Sequence, residues 1–413
     1  MQVVEQHIIE RGDPRFKIID QEALKSKNLY NAALYQVRQA FIFQGKYLSY
    51  KKMDKLMQQH EAYKALPAKV SQQVLMQLHH DWESFFKAQA AYEEDPSKFR
   101  GHPSLPKYKH KTEGRNLLVY TEQAISKPAL EKQGLIRPSM LPIVVKTKQT
   151  IVDQVRIVPR NGYYVVEVVY TKKEQQADVD PKLYAGIDIG VNNLAAITSN
   201  KRGFRPVLVN GRPIKSVNQY YNKRRARLQK KLGKTGTTKR MERLTNKRNR
   251  RIQQYMHTAS KQIIDLLINE EIGTLVIGKN DGWKQDVNMG TRNNQNFVQI
   301  PHARFIDMLS YKAQLVGIQV ILTEESYTSQ ASFLDRDPLP KYDPDREEEP
   351  TFSGKRVKRG LYRASGKRYL NADVNGSYNI IRKVAPAAFK GVEDVVVYPV
   401  RIARTKQTKG MAS

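Results

Sequence analysis

An α/β fold, preceded by a β-rich region that carries a helical insertion, is the class this sequence predicts, and three observations predict it. Two short blocks, Ala185–Asn193 (AGIDIGVNN) and Ala372–Ile380 (ADVNGSYNI), each set one aspartate beside small residues at the boundary of an apolar stretch. From Leu183 onward, short apolar strands alternate with long helical patterns, the signature of α/β units. The balance of 71 Lys and Arg against 40 Asp and Glu gives a formal charge of +31, a field that attracts polyanions and makes their binding salt-dependent.

The elements follow in chain order. Gln2 to Ile9 reads as a short strand, and a helical region begins after about residue 20. Tyr30, Leu34, Val37 and Phe41 recur at helical spacing, as do Val70, Val74, Leu78, Trp82 and Phe85, with Pro67 suited to a first turn. These aromatics are read as core in preference to base-stacking platforms. From Phe99 to Lys111 the texture turns to Pro, Lys and Tyr, too punctuated for a helix. Lys107, Tyr108, Lys109 and His110 there suit either a grip on a nucleic-acid backbone or a solvated loop. Val155 to Val158 and Tyr163 to Tyr170 flank Arg160, Asn161 and Gly162, a hairpin signal, so residues 100–178 read as a small β domain. Thr171 to Pro181 is polar and reads as a linker.

A strand ending at Ile189, a hairpin partner at Leu194 to Thr198 and a third strand at Pro206 to Val209 come next. Long basic helices follow, then a strand at Thr274 to Ile277, a helix around Ala303 to Leu315, a strand at Ile318 to Thr323 and a final helix starting near Asp373. Three antiparallel strands, then α/β units, then a closing helix is the order of a ribonuclease H-like domain.

Composition narrows the chemistry. The chain has no cysteine, which excludes disulfides, thiolate catalysis and cysteine-held zinc. No stretch reaches the roughly 20 apolar residues of a membrane span, and the N-terminus is charged from Glu5 with no apolar signal region, so the expected location is the cytoplasm, on nucleic acid. A length of 413 residues suits about two or three domains.

Asp188 lies between Ile187 and Ile189, which point to the other side of the pleat, so a charge there needs a reason. A turn-capping role is the plain alternative for Asp188, and a helix N-cap for Asp373. Paired carboxylates in a very basic chain suit Mg²⁺ and phosphodiester cutting, because a hard cation takes a few carboxylates and leaves room for phosphate oxygens. The grip on the polyanion is assigned to Lys223, Arg224, Arg225, Arg227, Lys230 and Lys231, then to Lys239, Arg240, Arg243, Lys247, Arg248, Arg250 and Arg251, opposed only by Glu242. A run so one-sided repels itself without phosphates or counterions. His257 and His302 lack metal-ligand spacing and default to structural roles, and Trp283, before the run Asn293 to Asn296, reads as a lid or packing anchor.

The two aspartate blocks, with Leu275 to Ile277, Tyr327 to Gln330 and the basic helix ending at Tyr255 to Ser260, resemble the TnpB (OrfB-type) proteins of bacterial insertion sequences. These are relatives of the type V CRISPR effectors and act as RNA-guided DNA endonucleases. The resemblance covers about Tyr184 to Lys383 and is weaker before it. It implies a wedge-type β-barrel from residues 1–20 and 99–178, a helical recognition domain at 21–98, and a RuvC-like nuclease domain at 181–413. It also implies a split site using Mg²⁺ or Mn²⁺, a guide RNA, a double-stranded DNA target, no membrane partner and a place at the prokaryotic nucleoid.

Two departures from the family pattern stand out. Of its three acidic residues the first and third match Asp188 and Asp373, but Gly278 holds the position of the second, a glutamate. Either the enzyme is dead or another carboxylate substitutes. Glu324 and Glu325 end the next strand, and Glu325 is preferred because it shares a face with Ile321 and Thr323; Asp281 and Asp286 are weaker candidates. The second departure is the four-cysteine zinc ribbon, replaced here by a cysteine-free insert at 327–371, so no zinc is expected. Its acidic Asp343, Glu347, Glu348 and Glu349 and basic Lys355, Arg356, Lys358 and Arg359 fit a self-paired loop or a DNA-contacting lid. The expected function is metal-dependent hydrolysis of target DNA under RNA guidance. The rivals are a nuclease-dead guided repressor, a transposase and a generic RNA-binding protein.

Overall fold

Asp13 decides where the first helix begins. Its carboxylate accepts from the backbone of Arg15 at 2.9 Å and pairs with the Arg15 guanidinium at 2.6 Å. Helix α1 therefore spans Arg15–Gln44, several residues ahead of the expected start near residue 21, and buries Ile19 within residues assigned to the β region. The computed structural model describes residues 1–233, 235–279, 297–343, 348–392 and 395–402. Asp281, Trp283, Asp286, Asn293 to Asn296 and Glu347 lie outside them. The chain divides into two compact units, residues 1–172 and 173–413.

In the first unit, β1 (Gln2–Glu10) is followed by α1, α2 (Tyr50–Met57), α3 (Glu61–Lys64) and α4 (Ala68–Glu94). Then come β2 (Leu118–Thr121), α5 (Lys127–Gln133), β3 (Leu135–Ile136), β4 (Val145–Lys146), β5 (Gln154–Arg160) and β6 (Tyr163–Thr171). The main sheet runs β1-β6-β5-β2, antiparallel throughout, and β3 pairs only with β4. With β1 and β2 left as edges, this ladder is an open sheet and does not close into the expected barrel. Helices and sheet share one core, in which Leu34, Leu75, Leu78 and Trp82 join Tyr120, Val155, Ile157 and Val166. Trp82 is fully buried and Phe41 meets it edge-on at 5.1 Å, so these aromatics are packing residues.

The second unit is built on a six-stranded sheet in the order β11-β10-β7-β8-β9-β15. Strands β7 (Asp180–Asp188), β8 (Asn193–Ser199) and β9 (Val207–Asn210) form the antiparallel meander. Helices α6 (Arg212–Leu232) and α7 (Lys239–Asn269) lead to β10 (Ile272–Gly278), and α8 (His302–Gln314) to β11 (Gln319–Thr323). Strand β10 lies parallel to both β7 and β11 and is buried along its whole length, as its unbroken apolar texture requires. This is the strand order expected of a ribonuclease H-like sheet. Beyond it the chain forms β12 (Lys355–Lys358), β13 (Leu361–Arg363), β14 (Tyr369–Asn371), α9 (Ala372–Val384) and β15 (Val400–Ile402), an edge strand parallel to β9 that sequence patterning did not reveal.

Period-two alternation assigns the faces. Ile187, Ala195, Ile197, Val207 and Val209 pack toward α7 and α8, whereas Ala196 and Leu208 pack toward Val374, Tyr378 and Ile381 of α9. Helix α9 comes close enough that a Cβ at Gly186 would lie 2.3 Å from the Ser377 carbonyl oxygen. The Ser377 hydroxyl donates to the Gly186 carbonyl at 2.8 Å, which fixes this approach.

The cysteine-free insert is tied by carboxylates. Asp335 accepts from the hydroxyl of Ser332 at 2.6 Å, from the backbone of Ser365 at 2.9 Å, and from the Ser365 hydroxyl and the Arg368 guanidinium. Buried Asp337 accepts from the backbone N–H groups of Ser332 and Ser353 at 2.7 and 3.0 Å. Two side chains thus join three separated stretches, and the three-stranded sheet β12-β13-β14 runs straight from this hub into α9. Arg368 pairs with Asp335 within the insert, while the basic run Lys355, Arg356, Lys358 and Arg359 is exposed. No helix among the described residues is long and apolar enough to cross a membrane.

Candidate active site

Asp188 is the last residue of β7 and points to the α9 side of the sheet, opposite the buried Ile187 and Ile189. Helix α9 crosses over it at Gly376, where a Cβ would lie 2.8 Å from Asp188 Oδ2. Only glycine leaves room for a carboxylate at that crossing.

Asp373 is not the helix cap. Asn371 fills that role, its side-chain oxygen accepting from the backbone N–H groups of Asp373 and Val374 at 2.9 and 3.2 Å. The Asp373 carboxylate instead accepts from Asn193 Nδ2 at 2.7 Å and faces Arg356 Nη2 at 3.5 Å. Asn193 closes the first sequence block and Asp373 opens the second, so this bond joins the two blocks directly. Neither Asn193 nor Arg356 was singled out for the site from sequence. Asn193 sat inside the quoted motif, and Arg356 was read only as one charge of a basic segment.

The gap at Gly278 is filled from the neighbouring strand. Gly278 pairs with Thr323 on one side, and Ile277 pairs with Ile187 on the other, so the ends of β7, β10 and β11 lie abreast. A Cβ added at Gly278 would meet Glu325 Oε2 at 2.7 Å and Ile380 Cδ1 at the same distance. The carboxylate of Glu325 therefore lies over the position where a side chain from residue 278 would begin. Glu324 turns the other way, pairing with Lys383 and accepting from the backbone of Ser326 at 2.8 Å. Adjacent residues at a strand end diverge, and here one goes to each side.

Electrostatics separate the two glutamates. Burial pushes the Glu325 carboxyl up to about 7, helped by the charge of Glu324 and opposed by Lys383. For Glu324 burial acts upward as well, but the hydrogen bonds from Lys383 and Ser326 outweigh it and hold the group below the usual range. Asp188 is held well above the ordinary carboxylate range by burial first, then by the charges of Glu325 and Asp373, with Arg356 acting in the opposite direction. Asp188 thus feels both of the other acids.

An all-oxygen donor set suits a hard divalent cation, which would offset the burial that raises Asp188 and Glu325 and the charges of Glu325 and Asp373 that act on Asp188. Asp188, Glu325 and Asp373 are the residues that would hold it. Among the described residues no three acidic or histidine side chains are already gathered tightly enough to enclose one ion as they stand. Asp373 is engaged with Asn193 and Arg356, so loading the site requires that carboxylate to exchange partners.

The basic residues fall into two groups. On α6 and α7, Lys223, Arg225, Arg227, Lys230, Lys231, Lys239, Arg240, Arg243, Lys247 and Arg251 are exposed, whereas Arg224, Arg248 and Arg250 are half-buried. In the first unit Lys107 and Tyr108 are exposed. Lys109 turns over the Tyr30 ring at 4.6 Å while its backbone is clamped by Asn31, so it is a packing residue as much as a surface charge. His302 is buried against Phe297, and the half-buried His257 gives its carbonyl to Lys312; both occupy structural positions.

Residues 167–284 match the family model OrfB_IS605, described as a probable transposase, and residues 302–380 match that of the Cas12f1-like TNB domain. The first segment contains Asp188 and Gly278, and the second contains Glu325 and Asp373. The chain is 24% identical over 252 residues to the CRISPR-associated endodeoxyribonuclease Cas12f2 of a Micrarchaeota archaeon (strain CG1_02_47_40). That match spans 58% of this chain and 43% of the relative. Similar solved structures include a Cas12f1-sgRNA-target DNA complex, at 13% identity and a TM-score of 0.35 over 92% of this chain and 98% of that one. A CRISPR-Cas12f ternary complex matches at 14% identity and a TM-score of 0.35 over 88% and 81%. Structural similarity at that level adds nothing to the reading of the fold.

Proposed function

We propose that this chain is an RNA-guided DNA endonuclease of the TnpB type, hydrolysing phosphodiester bonds of a double-stranded target at Asp188, Glu325 and Asp373. The observation that carries this reading is the position of Glu325. Its carboxylate reaches over Gly278 from beyond the neighbouring strand, and the charges of Glu325 and Asp373 both act on Asp188, which supports a role for Glu325 in place of the missing acid. The family matches on both halves of the site and the endodeoxyribonuclease relative support the same activity.

In this reading the three carboxylates hold Mg²⁺ or Mn²⁺, which when bound supplies Lewis-acid polarisation of the phosphate and a more acidic water. Asn193 orients Asp373, and Arg356 keeps a positive charge at the mouth of the site until a phosphate arrives. The exposed arginines and lysines of α6 and α7 hold polynucleotide backbone, which positions without reading sequence; base pairing with the guide does the reading. The first unit serves as wedge and recognition module, and the protein works on the nucleoid.

Plasmid cleavage by protein purified with its co-expressed RNA tests this. Wild type should cut in Mg²⁺, and Asp188→Ala should lower the rate roughly a thousandfold or more while RNA binding persists. Undiminished cutting by Asp188→Ala overturns the site. A second reading, guided DNA binding without cutting, draws on Gly278 and on the Arg356–Asp373 contact; it wins if wild type binds guide and target yet never cleaves. Joining of transposon ends without a guide would point to a transposase instead.

A further inference from the structure

A separate cavity of about 450 Å³ lies between α6, α7 and the segment Val298–Arg304. Three guanidiniums, from Arg225, Arg248 and Arg304, converge on it, and among the described residues no carboxylate lines it. Arg248 is half-buried, and its partners among the described residues are neutral oxygens: Asn218 Oδ1 at 2.7 Å, Asn249 Oδ1 at 2.9 Å and the Gln299 carbonyl at 2.8 Å. Asn218 is itself fully buried, so the guanidinium is oriented in advance. Arg225 and Arg304 are exposed and bond to no described residue.

A partly desolvated charge without an anionic partner is costly, and three together repel. Such an arrangement persists where an anion completes it, and the planar fork of arginine matches a phosphate. The remaining wall is not what a bare phosphate needs. Exposed Val298 adds an apolar side chain, with Ile252 and Met256 buried behind the wall, and half-buried Gln253 offers an amide, in a volume within the range of ~300–1,000 Å³ for small-molecule sites.

We propose that this cavity holds one nucleotide of a bound polynucleotide strand, turned out of its stack, with its phosphate on Arg225, Arg248 and Arg304 and its base against Val298 and Gln253. The proposal rests on the polynucleotide-binding part of the functional reading and adds to it a defined nucleotide site away from the carboxylates. Unlike the open basic faces of α6 and α7, this site contacts a base as well as a backbone.

The test uses the full chain with single-stranded RNA and DNA, each carrying a thio-substituted photoreactive pyrimidine. The double charge reversal Arg225→Glu with Arg304→Glu is compared with Lys17→Glu with Lys132→Glu, which changes net charge equally at exposed positions of the first unit. The cavity variant should weaken binding at least tenfold and reduce the salt slope by about one, against roughly threefold or less for the control. Equal losses in both variants overturn the site. Because all four substituted residues are exposed, unchanged circular dichroism melts should accompany either result. In wild type the photocrosslink should fall on the tryptic peptide Ile252–Lys261. Label from RNA alone identifies the guide as the occupant, and label from DNA alone identifies the target; no label on that peptide from either strand overturns the proposal. If wild type binds neither strand, the functional reading itself fails, which is a different outcome.

Discussion

Asp188 and Glu325 both resist ionisation, and this makes them the residues most sensitive to pH and to cations. Glu325→Gln should abolish cleavage, whereas Glu324→Gln, which keeps an acceptor for buried Lys383 and for the Ser326 backbone on the far side from Gly278, should stay within roughly fivefold of wild type. The reverse ranking in a single-turnover assay would reassign the third acid. The pH dependence has a definite sign. Glu325 is raised from an ordinary 4.5 to about 7, so the folded state keeps its proton longer than the unfolded chain does. Metal-free protein should therefore lose stability as pH climbs from about 4.5 to about 7, and Glu325→Gln should flatten that part of the melting-temperature profile. At this scale the sequence was readable where a charge broke an apolar alternation, as at Asp188, and where a face could be counted, as at Glu325. Asn193 escaped because a hydrogen bond across 180 residues leaves no local pattern, and Arg356 because its contact with Asp373, 17 residues on, depends on the fold of the insert.

The end of β10 shows how an element absorbs a lost residue. Glu325 Oε2 and Ile380 Cδ1 already occupy the space beside Gly278, so Gly278→Ala should cost ~1–3 kcal/mol by overpacking. Gly278→Glu alone should impair both folding and cutting, but combined with Glu325→Gly it should recover activity, because the carboxylate then enters the same space from the adjacent strand. Cleavage by the double variant no better than by either single one would show that the two positions do not share a role. The order of strands along the chain was legible from apolar runs and their spacing, since β8, β9 and β10 are each nearly continuous buried runs. The edge strand β15 was not, being only three residues long and dependent on a partner far back in the chain. The open sheet of the first unit was also misjudged: strand patterns predict pairing partners, and closure into a barrel depends on tilt and stagger that alternation does not encode.

Across the whole chain, charge and the absence of cysteine act at different places. The surplus of +31 is displayed largely on exposed helical faces, where composition could forecast a partner but not the three-arginine cavity, which needed α6, α7 and Arg304 brought together. The insert teaches the opposite lesson. Lacking thiolates, it is held by Asp335 and Asp337, and Asp335 is kept ionised because hydrogen bonds from Ser332 and Ser365 and the charge of Arg368 overcome the upward effect of burial. A knot of this kind is fastened by protons rather than by an ion. Chelators should leave it intact, whereas acid should loosen it: the stabilisation from Asp335 is complete above the unfolded carboxyl range and disappears as pH falls through its lowered folded value. Hydrogen exchange over 355–371 should then stay slow in EDTA at neutral pH and quicken for Asp335→Asn, so that the fastening answers to acidity and not to the supply of a metal.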